Sequence, residues 1–108
     1  MDNSQILASK YQEIGRAHYL NSNYHAAFMS YTNSLFHLKS FSAYVVRCII
    51  YFRLDHFKKC LEDIQCALKL HYSYNSEQEV PTSVLELKNN LIKFIQPDFV
   101  VSIMHNIN

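Results

Sequence analysis

The sequence of 108 residues is short of the residues that interrupt helices, since it holds one glycine and two prolines. An all-β fold of this length would need many glycine-rich or proline-containing turns between its strands. The scarcity of both residues therefore favours long helices. A chain of this length fits one domain and is long enough to bury an independent core.

The chain also lacks an excess of charge of either sign, because ten Lys and Arg and nine Asp and Glu leave a formal net charge of +1. The basic residues are scattered along the sequence and form no block. Domains that bind nucleic acid concentrate their basic residues on one surface or along one helix. We therefore expect no nucleic-acid partner.

Apolar runs long enough to cross a membrane are missing too. The longest nearly apolar stretch, residues 43–52, contains Arg47, and a membrane-spanning helix needs about 20 residues. The first residues have neither the basic nor the apolar region of a secretion signal. The three cysteines show no C-x-x-C spacing and are predicted to be reduced thiols. These features predict a cytoplasmic protein, with the nucleus as the alternative, and no membrane partner.

One motif occurs twice in the chain, and matching positions in the two copies are 33 residues apart. A period of this length, with small residues where two helices approach and large residues between them, is typical of stacked helix-turn-helix repeats. The matching residues are therefore predicted to pack the two helices of each repeat together. They are Tyr11 and Tyr44, Gly15 and Cys48, His18 and Tyr51, Tyr24 and Phe57, Ala27 and Cys60, Tyr31 and Ile64, and Ser34 and Ala67.

The spacing of the apolar residues predicts five helices. Their approximate ranges are 5–20, 24–37, 41–54, 57–71 and 81–96, with a polar loop at 72–80. Ser4 is the predicted N-cap of the first helix. The third helix is apolar on nearly all sides, so we expect it to be covered on more than one face and to form the centre of the domain.

The fifth helix is predicted to cap the array. It begins at Pro81, a favoured first position of a helix. Covering the open apolar face of the last helix pair is how repeat arrays end. The residues predicted to face the fourth helix are Val84, Leu87, Leu91, Phe94 and Ile95.

The repeated pattern resembles the tetratricopeptide repeat, in which an aromatic residue, Leu-Gly, Tyr, Ala, a second aromatic residue and a closing Pro recur over 34 residues. His18 and Arg47 depart from the pattern, and no Pro closes either repeat. The resemblance implies an all-α fold of antiparallel helical hairpins. A single domain would then cover residues 1–108, with repeat 1 at about 8–40, repeat 2 at about 41–72, a capping helix at about 81–96 and an apolar tail at 97–108.

In the tetratricopeptide family the first helix of each hairpin lines a concave groove that receives a peptide or a flanking domain. The resemblance implies a mostly apolar groove, with a cation from the fifth helix, at Gln12, Arg16, Tyr19, Val45, Ile49, Phe52, Arg53 and Lys88. An apolar stripe of this kind is more often core than binding site. The third helix nevertheless has more apolar surface than two neighbours cover, so part of it is expected to meet a partner, the tail or another copy of the chain.

Two further resemblances offer alternatives to a free-standing adaptor. Family members that bind acidic chaperone tails grip them with Lys and Asn, but the matching positions here are Gln12, Arg16 and Val46, so a co-chaperone is the weaker alternative. Short segments at 31–35, 51–54 and 60–64 are similar to the helical region of SET-and-MYND-domain lysine methyltransferases. Neither catalytic SET nor zinc-binding MYND sequence is present, so the similarity implies a detached helical region without that activity.

Patterns that predict catalysis are weak. His56 and Cys60 lie four residues apart and, with Cys48, Cys66 or His71, form a candidate zinc set. However, Cys60 occupies a position where the repeat requires a small packing residue. With one glycine there is no phosphate-binding loop. We therefore expect a non-enzymatic adaptor that binds protein and needs no cofactor, with a small metal or thiol enzyme as a minor alternative.

Overall fold

A computed structural model describes residues 3–74 and 79–94 of the chain. These residues form α-helices joined by short connections, and no strand occurs among them. The all-α fold class is confirmed. The helices are α1 (Asn3–Leu20), α2 (Tyr24–His37), α3 (Phe41–Arg53), α4 (Phe57–Tyr74) and α5 (Thr82–Phe94).

The first four helices form two hairpins. α1 packs along α2, α3 packs along α4, and α2 and α3 join the hairpins, while α5 packs on α4. Ser40 is the N-cap of α3, because its Oγ accepts a hydrogen bond from the Ala43 backbone N–H at 3.2 Å. This cap satisfies one of the backbone donors that the first turn of a helix leaves without a partner.

The two hairpin turns have the same backbone geometry, 33 residues apart. Ser22 and Asp55 adopt left-handed conformations, with φ of 60° and 62°. The next residue in each turn donates its N–H five residues back, from Asn23 to His18 at 2.9 Å and from His56 to Tyr51 at 2.8 Å. This is the Schellman geometry that closes many helices, usually with glycine at the left-handed position. The repeat therefore extends into turns in which the sequence has no glycine.

Two predicted boundaries are wrong. α1 begins at Asn3, so Ser4 lies inside the helix and is not its N-cap. α4 continues to Tyr74, three residues beyond the predicted end at 71. Within this extension Ser73 Oγ donates to the Lys69 carbonyl oxygen at 2.8 Å, a local bond that serine side chains make inside helices.

α4 buries more residues than α3, the helix that the sequence predicts to be the centre of the domain. α3 buries Ala43, Cys48 and Ile50, while most of its other apolar residues are half-exposed. α4 is covered by α3 and α5, and its buried residues are Cys60, Leu61, Asp63, Ile64, Ala67, Leu68 and His71. α3 also packs against two helices, α2 and α4, but with fewer of its residues fully buried.

The capping helix buries the residues predicted for that role. Val84 and Leu91 lie in one apolar cluster with Cys60, Ile64 and other residues of α3 and α4, and Leu87 packs against that cluster. The side chain of Phe94, Ile95 and the tail at 97–108 lie outside the described residues.

Gly15 allows the closest approach of α1 and α2. A Cβ atom at this position would lie 2.7 Å from both Cδ2 and Cε2 of Tyr31, whose side chain is buried. The matching positions in the second hairpin hold Cys48 and Ile64, which share a cluster. The second hairpin thus has the larger Cys48 in place of Gly15 and the less bulky Ile64 in place of Tyr31. The combined size of the two side chains is approximately the same in both hairpins.

We predict that Gly15→Ala destabilises the protein although alanine is the better helix former. The helix gains about 1 kcal/mol from the change, but overpacking against Tyr31 costs about 1–3 kcal/mol. In a Tyr31→Leu background the added methyl group has room, so the same change should stabilise. Urea unfolding of the four proteins measures both effects. Stabilisation by Gly15→Ala in the native background would contradict the close approach.

Candidate protein-binding surfaces

Side-chain contacts join α1 and α3, the first helices of the two hairpins. Near the start of α3, Gln12 Nε2 donates to Ser40 Oγ at 3.3 Å and Ser42 Oγ donates to Gln12 Oε1 at 3.4 Å. At its end, the Arg53 guanidinium hydrogen-bonds the Tyr19 hydroxyl, which raises the pKa of Arg53. We call the surface between these contacts the α1–α3 face, and it carries Gln12, Arg16, Tyr19, Val45, Ile49, Phe52 and Arg53.

Residues of the α1–α3 face differ in how much they are exposed. Arg16 and Arg53 are exposed, and Ile49 is half-buried. Val45 and Phe52 are also half-buried but pack against the apolar cluster of α3, α4 and α5. Tyr19 packs against the cluster between α2 and α3. Three of the predicted groove residues therefore also support the core, and the apolar surface left between the two arginines centres on Ile49.

Lys88 is the predicted groove residue that α5 contributes. It is half-buried on the side of α5 that carries the buried Val84 and Leu91. Lys88 follows Val84 by four residues and precedes Leu91 by three, which places the three side chains on one helix face. The opposite side of α5 presents Leu85 and Asn89, which are exposed. Lys88 is thus placed at the packing surface of α5 and not on its exposed side.

A polar cavity of about 260 Å³ lies on α1, lined by Ser9, Gln12, Glu13 and Arg16 together with Tyr31 of α2. Burial raises the pKa of Tyr31, and the nearby positive charge of Arg16 partly opposes that shift. The amide of Gln12 is already hydrogen-bonded to two serines. Arg16 is therefore the charged donor that this cavity offers to a ligand.

Arg47 links three helices through one guanidinium group. Its Nε and Nη2 donate to the two carboxylate oxygens of Asp63 at 2.7 Å each, and its Nη1 donates to Thr32 Oγ1 at 3.3 Å. The group lies 5.9 Å from the ring centre of Tyr44 and 5.7 Å from that of Tyr51. The hydrogen bonds to Asp63 are the main reason why the pKa of Arg47 is raised. In the sequence, Arg47 stands out only because it departs from the Leu of the tetratricopeptide pattern. Its partner Asp63 lies on the next helix, α4.

The cysteines divide into a buried pair and an exposed thiol. Cys48 and Cys60 are fully buried, and Cys60 Sγ donates to the Cys48 carbonyl oxygen at 3.0 Å. The hydrogen bond with Cys60, together with burial, raises the pKa of the Cys48 thiol. Cys66 is exposed, although partial packing around it raises its pKa as well. Raised pKa values leave less of the reactive thiolate at neutral pH.

The zinc set considered for His56 and Cys60 does not assemble in the structure. Among the described residues, no group of three or more His, Cys, Asp and Glu side chains is placed to hold a metal ion. His56 instead packs edge-on against Tyr51, with 6.1 Å between ring centres. His56 and Cys60 therefore serve the hairpin turn and its packing.

A cavity of about 610 Å³ opens where α2 and α4 end and α3 begins. We call it the end cavity, and it is lined by residues that include Phe36, His37, Leu38, Phe41, Leu70 and Tyr74. None of these belongs to the predicted groove. Phe36 is 85% exposed and Tyr74 is 77% exposed. The signal in the sequence was the presence of bulky apolar residues at helix ends, outside the repeat positions.

Comparison with protein-family models, with curated proteins and with solved structures gave no match to this chain. Within the described ranges, no helix is long and apolar enough to cross a membrane. The likeness to tetratricopeptide repeats, and the narrower likeness to SET-and-MYND proteins, stay predictions from the residues of this chain.

We predict that iodoacetamide labels Cys66 in the folded protein and reaches Cys48 and Cys60 only after unfolding. The buried pair is shielded from reagent, and the hydrogen bond with Cys60 disfavours the thiolate of Cys48. Because the pKa of Cys66 is raised, its labelling rate should continue to increase above about pH 8.5, the ordinary thiol value. Mass spectrometry of native and urea-unfolded protein counts the labels, with Cys66→Ser as the unlabelled control. Rapid labelling of Cys60 in the native Cys66→Ser protein would contradict the buried pair.

Proposed function

We propose that this chain is a non-enzymatic protein-binding adaptor, whose α1–α3 face receives a peptide segment or a flanking domain. The observation that carries the proposal is that side chains join α1 to α3 at both ends of α3, where Gln12 contacts Ser40 and Ser42 and Arg53 contacts Tyr19. The face so joined carries the half-buried Ile49 and the exposed Arg16 and Arg53. A surface whose framework is already ordered loses less entropy when a partner binds.

The chemistry of the face suits an extended segment with an apolar side chain between two hydrogen-bond acceptors. The apolar side chain would cover Ile49, while carbonyl or carboxylate oxygens would accept from the arginines. Such charge-assisted hydrogen bonds are roughly twice as strong as neutral ones. Because Arg53 is fully exposed, its contribution is screened by solvent and acts more on orientation than on affinity.

Features of the repeat architecture support the proposal. The paired hairpins, the matching left-handed turns at Ser22 and Asp55, and the small residues at Gly15 and Cys48 recur with the same period. In helical repeat arrays the stacked elements form extended binding surfaces. The cytoplasm, with its reduced thiols, is the compartment that we propose for this adaptor.

We predict that Ile49→Asp abolishes partner capture and leaves the helical spectrum unchanged. The substitution places a charge at the centre of the face, where interface hot spots concentrate. Met29→Asp is the matched control, because Met29 is 62% exposed on α2 and is not a residue of this face. Affinity capture with mass spectrometry, run on wild-type and both variants, gives the answer. Partners retained by Ile49→Asp to the same extent as by Met29→Asp would contradict the proposed face.

The same proposal excludes capture of a terminal carboxylate as the main function. Gln12 is committed to two serines, and Val46 packs against the α2–α3 cluster, so the clamp positions offer no set of free side-chain amides. A peptide ending in EEVD should therefore bind weakly in calorimetry. Micromolar binding that Arg16→Ala removes would favour a co-chaperone instead.

A further inference from the structure

The end cavity has aromatic walls that are held in place by ring packing. Phe41 packs on His71 with 5.5 Å between ring centres, and His37 stacks on Tyr11 at 5.6 Å with the rings nearly parallel. His71 is buried, and Phe36 contacts His37 edge-on at 5.4 Å. The volume of about 610 Å³ lies within the range of about 300–1,000 Å³ that is usual for ligand pockets. The cavity is thus a formed recess that can hold a bulky apolar side chain.

Positive charge accompanies this recess. A second cavity of about 310 Å³ shares Lys39, Leu70 and Tyr74 with the end cavity and adds Lys69. No Asp or Glu lines either cavity among the described residues. Lys39 and Lys69 line this second cavity together with Cys66, so both lysines face the same region.

The positive charge of the two lysines exceeds the partial negative charge at the C-terminal ends of the neighbouring helices. α2 ends at His37 and α4 ends at Tyr74, and each helix C-terminus contributes roughly half an elementary negative charge. Among the described residues that line the two cavities, the charges of the two lysines therefore outweigh those of the helix ends. Potentials of opposite sign on two partners steer their association and select among candidates.

We propose that the end cavity is a second docking site, which takes an acidic peptide segment of another protein with a bulky apolar anchor. The anchor enters the recess between Phe41, Leu70 and Tyr74, and its neighbouring carboxylates lie against Lys39 and Lys69. This site is formed by helix ends and is separate from the α1–α3 face, so it goes beyond the adaptor proposal. It gives the chain two surfaces that can be occupied at once.

Selection from a phage-displayed library of random peptides tests the inference on the full chain. We expect the enriched peptides to carry Phe, Leu or Met next to Asp or Glu. One enriched peptide, labelled with fluorescein, then measures affinity by anisotropy. The double variant Lys39→Glu with Lys69→Glu should weaken binding by at least about tenfold, since two charge-assisted contacts become repulsive.

Matched variants separate the possible outcomes. Lys59→Glu with Lys93→Glu makes the same change in net charge on exposed residues outside the two cavities, and affinity should change less than about twofold. Leu70→Ala should also weaken binding, while Ile49→Asp should not. Equal losses in both lysine pairs, or loss only with Ile49→Asp, would overturn the end-cavity inference, and the second result would support the α1–α3 face.

The chain's own C-terminal segment is an alternative occupant, because residues 98–104 also combine an acid with apolar residues. The full-length variant Phe99→Ser with Met104→Ser distinguishes it. Unchanged peptide affinity supports a site for another protein. A rise of about tenfold or more would show that the tail competes for the cavity and would overturn the proposal.

Discussion

The ion pair of Arg47 and Asp63 is the constraint on which the arrangement of the middle three helices depends. The Asp63 side chain is 5% exposed and that of Arg47 is 19% exposed. A carboxylate at this depth loses most of its hydration, so it must be paired and hydrogen-bonded to be tolerated. Arg47 Nε and Nη2 donate to the two carboxylate oxygens of Asp63, and Nη1 donates to Thr32 Oγ1. One group therefore fixes how α2, α3 and α4 approach one another, and the tyrosines on either side shield it.

This constraint connects the core to the proposed binding face. Arg47 occupies a position in α3 that faces α2 and α4, and the 3.6-residue period of the helix places Val45, Ile49 and Phe52 on the other side of α3. Gly15 and Tyr31 set the distance within the first hairpin, and Gln12 then bridges to the start of α3. The α1–α3 face thus depends in part on packing at Gly15, Tyr31 and Arg47, which are not residues of that face.

Much of the fold was predictable because helical periodicity is local. The apolar spacing identified five helices, and the 33-residue repeat identified the hairpins and the packing roles of Gly15 and Cys48. Ser4 failed as a predicted cap because propensity does not fix where the first turn begins. α4 extends three residues beyond its predicted end, because a pattern of apolar residues does not fix the exact terminus of a helix. The turns at Ser22 and Asp55 close without the expected glycine, since hydrogen bonds to His18 and Tyr51 hold them.

The candidate sites were harder to predict, because they depend on which side chains meet across helices. The pairing of Arg47 with Asp63 needs the register of α3 against α4, which no single-helix pattern contains. The same holds for Lys88, whose helix was identified but whose side chain lies at the packing surface. The end cavity joins residues from three helix ends, and the repeat pattern assigns no role to Phe36, Leu70 or Tyr74.

A double-mutant cycle on Arg47 and Asp63 tests the central claim most directly. Urea unfolding, monitored by circular dichroism, gives the free energy of unfolding of the wild-type protein and of the variants Arg47→Leu, Asp63→Leu and their combination. We expect each single change to cost about 3–5 kcal/mol, because it leaves a buried charge unpaired, and the double change to cost less than either. If the single changes cost under about 1 kcal/mol each and simply add, as distant or exposed sites do, the ion pair does not govern the packing of these helices.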